Sequence, residues 1–119
     1  MKEIKTVYIA GRITGDPEYR AKFEQAQRTL EAAGFVVMSP AILPSEGFTY
    51  DDYMKVSSAM MDVCGAVYFL PDWKQSNGAM YEMGRAIATG KEIINQISVK
   101  GLESRCAAWK HTRHGKARA

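Results

Sequence analysis

The sequence contains few cysteines and no long apolar run. Its 119 residues include two cysteines, Cys64 and Cys106, and neither they nor the two histidines have the spacing of metal ligands. We therefore expect two free thiols, no metal and no cofactor. The longest apolar stretch, residues 65–71, is far shorter than the roughly 20 residues of a transmembrane helix, and the N-terminus lacks the apolar segment of a signal peptide. These absences predict a cytoplasmic protein that has no membrane partner.

The composition is typical of one folded domain with a charged extension. Apolar residues make up 46% and charged residues 24% of the chain, a balance unlike that of disordered proteins. Residues 1–99 carry ten Lys and Arg against twelve Asp and Glu, a net charge of −2, whereas residues 100–119 carry six against one, a net charge of +5. We expect a single domain over residues 1–99 and a basic, partly disordered tail over residues 100–119. The tail lacks interleaved aromatic residues for stacking on bases, so nucleic acid is not the expected partner.

Short apolar runs alternate with amphipathic segments along residues 1–99. The strand-like runs are TVYIA, FVVMSP, AVYFLP and EIINQI, which start at Thr6, Phe35, Ala66 and Glu92. Helical spacing follows the first three runs, and the third helix is expected over residues 78–89. This alternation predicts an α/β fold of the Rossmann-like or flavodoxin-like type, a single three-layer domain with a parallel sheet of four to five strands.

Two helix starts are visible in the sequence. Asp16 followed by Pro17 predicts an N-cap with proline at the first helical position. Thr49 with Asp52 three residues later predicts a capping box for the second helix. Both signals fix where a helix should begin and which loop should precede it.

The loops at the carboxyl ends of the strands are the expected ligand site, as in other parallel α/β sheets. In the first loop, AGRITG, backbone N–H groups and the Arg12 side chain could hold an anion. The alternative is a structural turn in which Gly11 and Gly15 only permit tight backbone angles. In the third loop, Trp73 either stacks on a base or anchors the loop. The three loops cover residues 11–16, 40–49 and 71–77.

The stretch SNGAMYEMGRA, residues 76–86, places a carboxylate one turn inside a helix. Ser76 is the predicted N-cap, and Gly78 leaves the helix N-terminus open to a ligand. Glu82 follows Gly78 by one turn on the same face, at the border between core and cleft. The alternative is a surface ion pair between Glu82 and Arg85. The neighbouring face, which we expect to pack on the sheet, contains Ala79, Met83 and Ile87.

Residues 5–97 resemble the nucleoside 2-deoxyribosyltransferase-like superfamily. The resemblance rests on VYIAGRITG, GFVVMSPA, the DDYM helix, AVYFLPDWKQSNGAMYEMGRA and GKEI. Its most specific part is the spacing of serine, glycine and glutamate in SNGAMYEMGRA. The sequence is most similar to small phage and bacterial members, and it also resembles 2'-deoxynucleoside 5'-monophosphate N-glycosidases.

The resemblance implies cleavage or exchange of an N-glycosidic bond in a 2'-deoxynucleoside or its 5'-monophosphate, by a hydrolase or a transferase. Glu82 matches the family's nucleophile, whose charge suits an oxocarbenium-like transition state. Tyr8 matches the tyrosine that orients the nucleophile, although it also reads as a core aromatic on a buried strand. Ser76 matches a serine of the monophosphate hydrolases, which favours a 5'-phosphate. The matching substrate-binding positions are Gly11, Arg12, Ile13, Ser76, Asn77 and Gly78. Family members often complete the site with a neighbouring subunit, so we expect a homo-oligomer.

Ser57 departs from the family's pattern. Related sequences carry an aspartate at this position, which assists the departure of the base, and a hydroxyl cannot act as a carboxylic acid. Proton delivery contributes roughly 10² to 10⁴ in rate. Asp62 lies five residues later on another face of the helix and is not expected to replace it. The alternative function is therefore a nucleotide-binding or sensor module without turnover.

Overall fold

Four strands and three α-helices alternate in a computed structural model that describes residues 5–95. In chain order they are β1 (Thr6–Ala10), α1 (Tyr19–Ala32), β2 (Val36–Met38), α2 (Tyr50–Asp62), β3 (Ala66–Phe69), α3 (Asn77–Ala88) and β4 (Glu92–Ile94). Two short 3₁₀ helices, Pro40–Ile42 and Trp73–Gln75, lie in the loops after β2 and β3. Among residues 5–95, no helix combines the length and apolar character required to span a membrane.

The strands form one sheet in the order β2-β1-β3-β4, and every neighbouring pair is parallel. β1 lies in the interior of the sheet, where Tyr8 pairs with Met38 on one side and with Val67 on the other. β3 is also interior, and all four of its residues are buried, as expected for a strand covered on both faces. The predicted α/β fold with a parallel sheet of four to five strands is confirmed.

Alternate residues of β1 belong to two hydrophobic clusters on opposite faces of the sheet. Val7 and Ile9 pack with Phe23 and Leu30 of α1. Tyr8 and Ala10 lie in the other cluster, with residues of α2 and α3 such as Met61 and Ala86. Because successive side chains of a strand point to opposite faces, this register turns Tyr8 toward the helix that carries Glu82.

The start of α1 differs from the prediction. The helix begins at Tyr19 rather than at Pro17, and its N-cap, Glu18, makes no side-chain capping bond. Asp16 instead accepts a hydrogen bond from the Glu18 N–H at 2.9 Å and binds the Lys22 ammonium at 2.7 Å. The aspartate therefore closes a turn of its own before the helix, as short acidic side chains often do.

The other cap predictions are confirmed, but one packing prediction is wrong. Thr49 and Asp52 form the predicted reciprocal capping box. Ile87, expected to pack on the sheet, is 63% exposed. The buried residues of α3 are Ala79, Glu82 and Ala86, a spacing of three and four that defines one helical face. Ile87 lies one residue beyond that face.

Several predictions fall on residues that the structure does not describe. Cys106, the basic tail over residues 100–119 and the domain boundary at residue 99 all lie outside residues 5–95. Within the described part, Cys64 is a free, buried cysteine, and no group of three His, Cys, Asp or Glu residues is arranged to hold a metal ion.

Candidate active site

A cleft of about 400 Å³ opens at the carboxyl ends of the strands. Its floor contains Tyr8, Ser57 and Glu82, which come from β1, α2 and α3. One wall is the loop after β1, and the opposite wall combines the loop after β2 with the first turns of α2. The first and second predicted loops therefore form walls of the cleft, and the end of the third, at Ser76, also reaches it.

Glu82 and Tyr8 form a buried hydrogen-bonded pair at the floor of this cleft. The Tyr8 hydroxyl donates to Glu82 Oε2 at 2.8 Å, and the two residues are only 1% and 4% exposed. They are 74 residues apart in sequence and meet because Tyr8 faces the α3 side of the sheet. Glu82 is thus a residue of the cleft floor, and the alternative of a surface ion pair with Arg85 is wrong.

Burial governs the protonation of the pair. Removal from water raises the pKa of Glu82 from 4.5 to about 7, although hydrogen bonds from Tyr8 and Ser57 favour its charged form and act in the opposite direction. Burial also raises the pKa of Tyr8, and the neighbouring Glu82 charge adds to this shift. Tyr8 therefore stays a neutral donor, whereas about half of the Glu82 side chains are ionised near pH 7.

Ser57 is the third polar residue of the floor. It lies on the buried face of α2 and lines the cleft, its presence lowers the pKa of Glu82 and of Tyr8, and its hydroxyl donates to the Met54 carbonyl at 3.4 Å. A hydroxyl has only one proton to donate, so the Met54 carbonyl competes with Glu82 for it. Ser57, the position at which the sequence departs from the family's pattern, therefore lies next to the Glu82 carboxylate.

Asp62 does not replace the missing acid. Its two carboxylate oxygens accept hydrogen bonds from the Arg85 guanidinium at 2.8 and 2.6 Å, outside the cleft. Arg85 is thus paired with α2 rather than with Glu82, and the expectation that Asp62 faces elsewhere is confirmed. Of the described residues that line the cleft, Glu82 is the only one with a carboxylate.

The first turn of α3 has the predicted cap but a different environment. Ser76 Oγ accepts a hydrogen bond from the Ala79 N–H at 3.1 Å, and Ser76 and Gly78 both line the cleft. A Cβ at Gly78 would lie 3.1 Å from Met54 Sδ and 3.3 Å from Tyr50 Oη. The absence of a side chain at Gly78 therefore allows the first turn of α3 to lie against Tyr50 and Met54 of α2. Asn77 is exposed and is not among the lining residues.

The two glycines of the loop after β1 allow its backbone conformation and also line the cleft. Gly11 and Gly15 both line it, together with Ile13. Gly15 has a positive φ of 82°, which favours glycine. A Cβ at Gly11 would lie 2.5 Å from Leu70 Cδ1, so this loop can approach the end of β3 only without a side chain.

Arg12 is not among the residues that line the cleft, and its side chain holds its own loop. Its guanidinium donates to the Thr14 and Gly15 carbonyls at 3.3 and 3.4 Å and to Gln75 Oε1 at 3.5 Å. The Arg12 N–H donates to Asp72 Oδ1 at 3.1 Å. Arg12 therefore ties the loop after β1 to the loop after β3, a contact that the sequence did not predict.

Substituting Gly11 with alanine is expected to destabilise the fold by about 1 to 3 kcal/mol, because the new Cβ must displace Leu70. Urea denaturation measures this change. The matched control is Gly84→Ala in α3, where a Cβ meets nothing within 4 Å and the variant should gain up to about 1 kcal/mol from helix propensity. Equal effects of the two substitutions would contradict the close approach at Gly11.

Trp73 anchors its loop. Its ring lies 5.4 Å from that of Phe69 and packs on the cluster between the sheet and α2 and α3, and it does not line the cleft. The alternative of stacking on a base is therefore not what the structure shows.

The wall formed by the loop after β2 was not predicted in detail. Arg20 of α1 donates to the Ala41 and Leu43 carbonyls at 2.6 and 3.3 Å, and the Tyr53 hydroxyl donates to the Pro44 carbonyl at 2.8 Å. Each contact joins elements that have no local sequence pattern in common. Only the position of the loop, at the carboxyl end of a strand, pointed to this wall.

Comparison with solved structures identifies the same architecture elsewhere. A 2-desoxiribosyltransferase from Leishmania mexicana superposes with a TM-score of 0.60 at 21% sequence identity, over 76% of this chain and 63% of that one. The chain thus spans under two thirds of that protein, and at this identity the likeness concerns the fold. It supports the α/β fold with a parallel sheet that was predicted from the sequence.

One of the two sequence comparisons identifies a family. No curated protein matches the chain. The family described as "Domain of unknown function (DUF4406)" matches residues 5–95, which include every strand, helix and cleft residue described above. The chain therefore belongs to the DUF4406 family.

Proposed function

We propose that the protein cleaves or exchanges the N-glycosidic bond of a 2'-deoxynucleoside or its 5'-monophosphate, with Glu82 as nucleophile. The observation that carries the proposal is the buried Glu82 carboxylate at the floor of the cleft, held by the Tyr8 hydroxyl at 2.8 Å. The fold shared with a 2-desoxiribosyltransferase supports it, as does the resemblance of SNGAMYEMGRA to the superfamily.

The proposed reaction has two displacements. A Glu82 oxygen attacks the anomeric carbon of the deoxyribose, the bond from that carbon to the base breaks, and the bonding electrons leave with the base, which takes a proton from water. The resulting sugar ester is then attacked by water, which gives deoxyribose or, from the monophosphate, deoxyribose 5-phosphate, or by a second base, which gives a new nucleoside or its 5'-monophosphate. Either step restores the Glu82 carboxylate. Covalent capture divides one difficult step into two easier ones.

Tyr8 and several residues that line the cleft support these steps. Tyr8 orients the carboxylate through its bond to Oε2, and the substrate lies against cleft residues that include Gly11, Ile13, Ser76 and Gly78. Arg12 and the exposed Asn77 lie outside the lining, so any role for them is indirect.

A homo-oligomer remains part of the proposal, and light scattering after size-exclusion chromatography measures it.

A second function, nucleotide binding without turnover, is favoured by Ser57. No described residue of the lining other than Glu82 offers a carboxylic acid to protonate the departing base, and Ser57 occupies the place next to Glu82. An enzyme built in this way should be slow and should favour bases that depart easily.

Incubation with the four common deoxynucleosides and their 5'-monophosphates tests the proposal. Chromatography should show free base accumulating in proportion to enzyme, and a new nucleoside when a second base is added. Intact mass spectrometry after rapid acid quenching should show a deoxyribosyl adduct. If ligands raise the melting temperature of the protein but are recovered unchanged, the binding function is the correct one.

A further inference from the structure

The cleft contains one negative side chain and no positive one among its described residues. Glu82 is the single residue of the lining whose side chain is acidic, and none of the described lining residues is Lys, Arg or His. The remaining surface is formed by tyrosines, prolines, Leu43, Met54 and small hydroxyl residues. Apolar surface with a few hydroxyl groups suits an uncharged ligand, whereas a phosphate needs donors with positive charge.

Three cations of α1 and of the loop after β1, Arg12, Arg20 and Lys22, are bound to protein acceptors. The Arg12 guanidinium donates to two carbonyls and to Gln75. Arg20 donates to two carbonyls of the loop after β2, and its guanidinium carbon lies 5.1 Å from the centre of the Tyr19 ring. Lys22 bridges Asp16 at 2.7 Å and Asp72 at 3.4 Å. Each of these three cations therefore holds a wall in place, and a phosphate would have to compete with those contacts.

Among residues 5–95, the N-terminus of α3 is a further source of positive charge, and protein groups already lie against it. Ser76 Oγ already accepts the Ala79 N–H. Beside Gly78 lie the Met54 sulfur and the Tyr50 hydroxyl, at 3.1 and 3.3 Å from a Cβ position. A doubly charged phosphate at this end of the cleft would also lie within one or two helical turns of Glu82, whose ionisation it would oppose.

From the charge of the lining and the pairing of these cations, we infer that the cleft selects the uncharged 2'-deoxynucleoside and disfavours its 5'-monophosphate. The inference rests on the proposed function for the identity of the sugar and base, and it reverses the preference for a 5'-phosphate that the resemblance at Ser76 implied. Arg12 acts here as a positioning residue for the loop after β1, not as a phosphate ligand.

The test compares each deoxynucleoside with its own 5'-monophosphate on the full chain. Isothermal titration calorimetry gives the two dissociation constants, and the base-release assay gives the two values of kcat/KM. We expect the deoxynucleoside to bind at least about tenfold more tightly than the monophosphate, and to be cleaved with a correspondingly higher kcat/KM. Tighter or equal binding of the monophosphate, or no binding of any deoxynucleoside, overturns the inference.

The same experiment separates this inference from the proposed function. Tighter binding of the deoxynucleoside than of its monophosphate, without release of base from either, would contradict the proposed function and support the inference on charge. Release of base from the monophosphate at the higher kcat/KM would support the proposed function and overturn the inference.

An Arg12→Ala variant supplies an independent check. Because Arg12 positions the loop rather than a phosphate, its loss should weaken the deoxynucleoside and the monophosphate by the same factor. A loss confined to the monophosphate would identify Arg12 as a phosphate ligand and overturn the inference.

Discussion

Replacing Glu82 with glutamine is expected to lower the rate of base release by at least about 10³-fold, the largest effect that we predict for a single substitution. Glutamine keeps the size of the side chain and can accept the Tyr8 hydrogen bond, but its amide cannot form the ester intermediate. Single-turnover base release measures the effect. Glu92→Gln, at an exposed residue of β4, is the matched control and should retain the wild-type rate.

The Glu82→Gln variant should also be more stable than the wild type at alkaline pH. The pKa of Glu82 rises from 4.5 to about 7 on folding. Its contribution to the free energy of unfolding is therefore most favourable below pH 4.5, and this contribution is lost as the pH rises through about 7. The loss amounts to about 3 kcal/mol. Glutamine does not titrate, so its advantage in urea denaturation should be greatest near pH 8 and shrink toward pH 5.

This combination of lower activity and higher stability distinguishes a functional role for Glu82 from a structural one. A residue that only supported the fold would lower both quantities when replaced. An active Glu82→Gln variant would exclude Glu82 as the nucleophile, whereas a strongly destabilised one would contradict the raised pKa of the buried Glu82 carboxyl.

The pH dependence of catalysis is the second large effect. Attack requires the ionised carboxylate, and the pKa of Glu82 is about 7 in the folded protein. We expect kcat/KM to be constant above pH 8 and to fall by about tenfold per pH unit well below pH 7. A profile over pH 5 to 9 measures it. A rate that does not change between pH 5 and 8 would contradict the raised pKa or the role of the carboxylate.

Tyr8→Phe tests the cause of this profile. The variant removes a hydrogen bond that favours the charged form of Glu82, so the pKa should rise and the acidic limb of the profile should move to higher pH. Ser57→Ala should act in the same direction, because Ser57 also favours the charged form. Unchanged profiles in both variants would show that neither hydroxyl acts on the carboxylate.

Local patterns in the sequence predicted most of the fold. The four apolar runs became the four parallel strands, and Thr49 with Asp52 marked the start of α2 as expected. The predicted start of α1 was wrong because Asp16 binds Lys22 and the Glu18 N–H instead of capping the helix. The sequence pattern does not reveal these alternative partners of Asp16. The prediction that Ile87 packs on the sheet was wrong because the face of α3 that packs inward consists of Ala79, Glu82 and Ala86.

The floor of the cleft could be predicted, but its walls could not. The resemblance to the superfamily singled out Glu82 and Tyr8, and the rule that ligands bind at the carboxyl ends of parallel strands singled out the three neighbouring loops. The diversion of Arg12 to backbone carbonyls depends on side-chain contacts between distant loops. The same holds for Arg20, which reaches two carbonyls more than 20 residues away. No pattern of residue types encodes such contacts.

The ion pair between Asp62 and Arg85 has a consequence for the spacing of the residues at the floor of the cleft. It joins the last turn of α2 to α3 through two short hydrogen bonds, five residues beyond Ser57 and three beyond Glu82. The two helices that supply these groups are thereby fastened together on the solvent side. A ligand that separates the two helices must lengthen this ion pair. The distance between the Ser57 hydroxyl and the Glu82 carboxylate therefore depends on a contact outside the cleft.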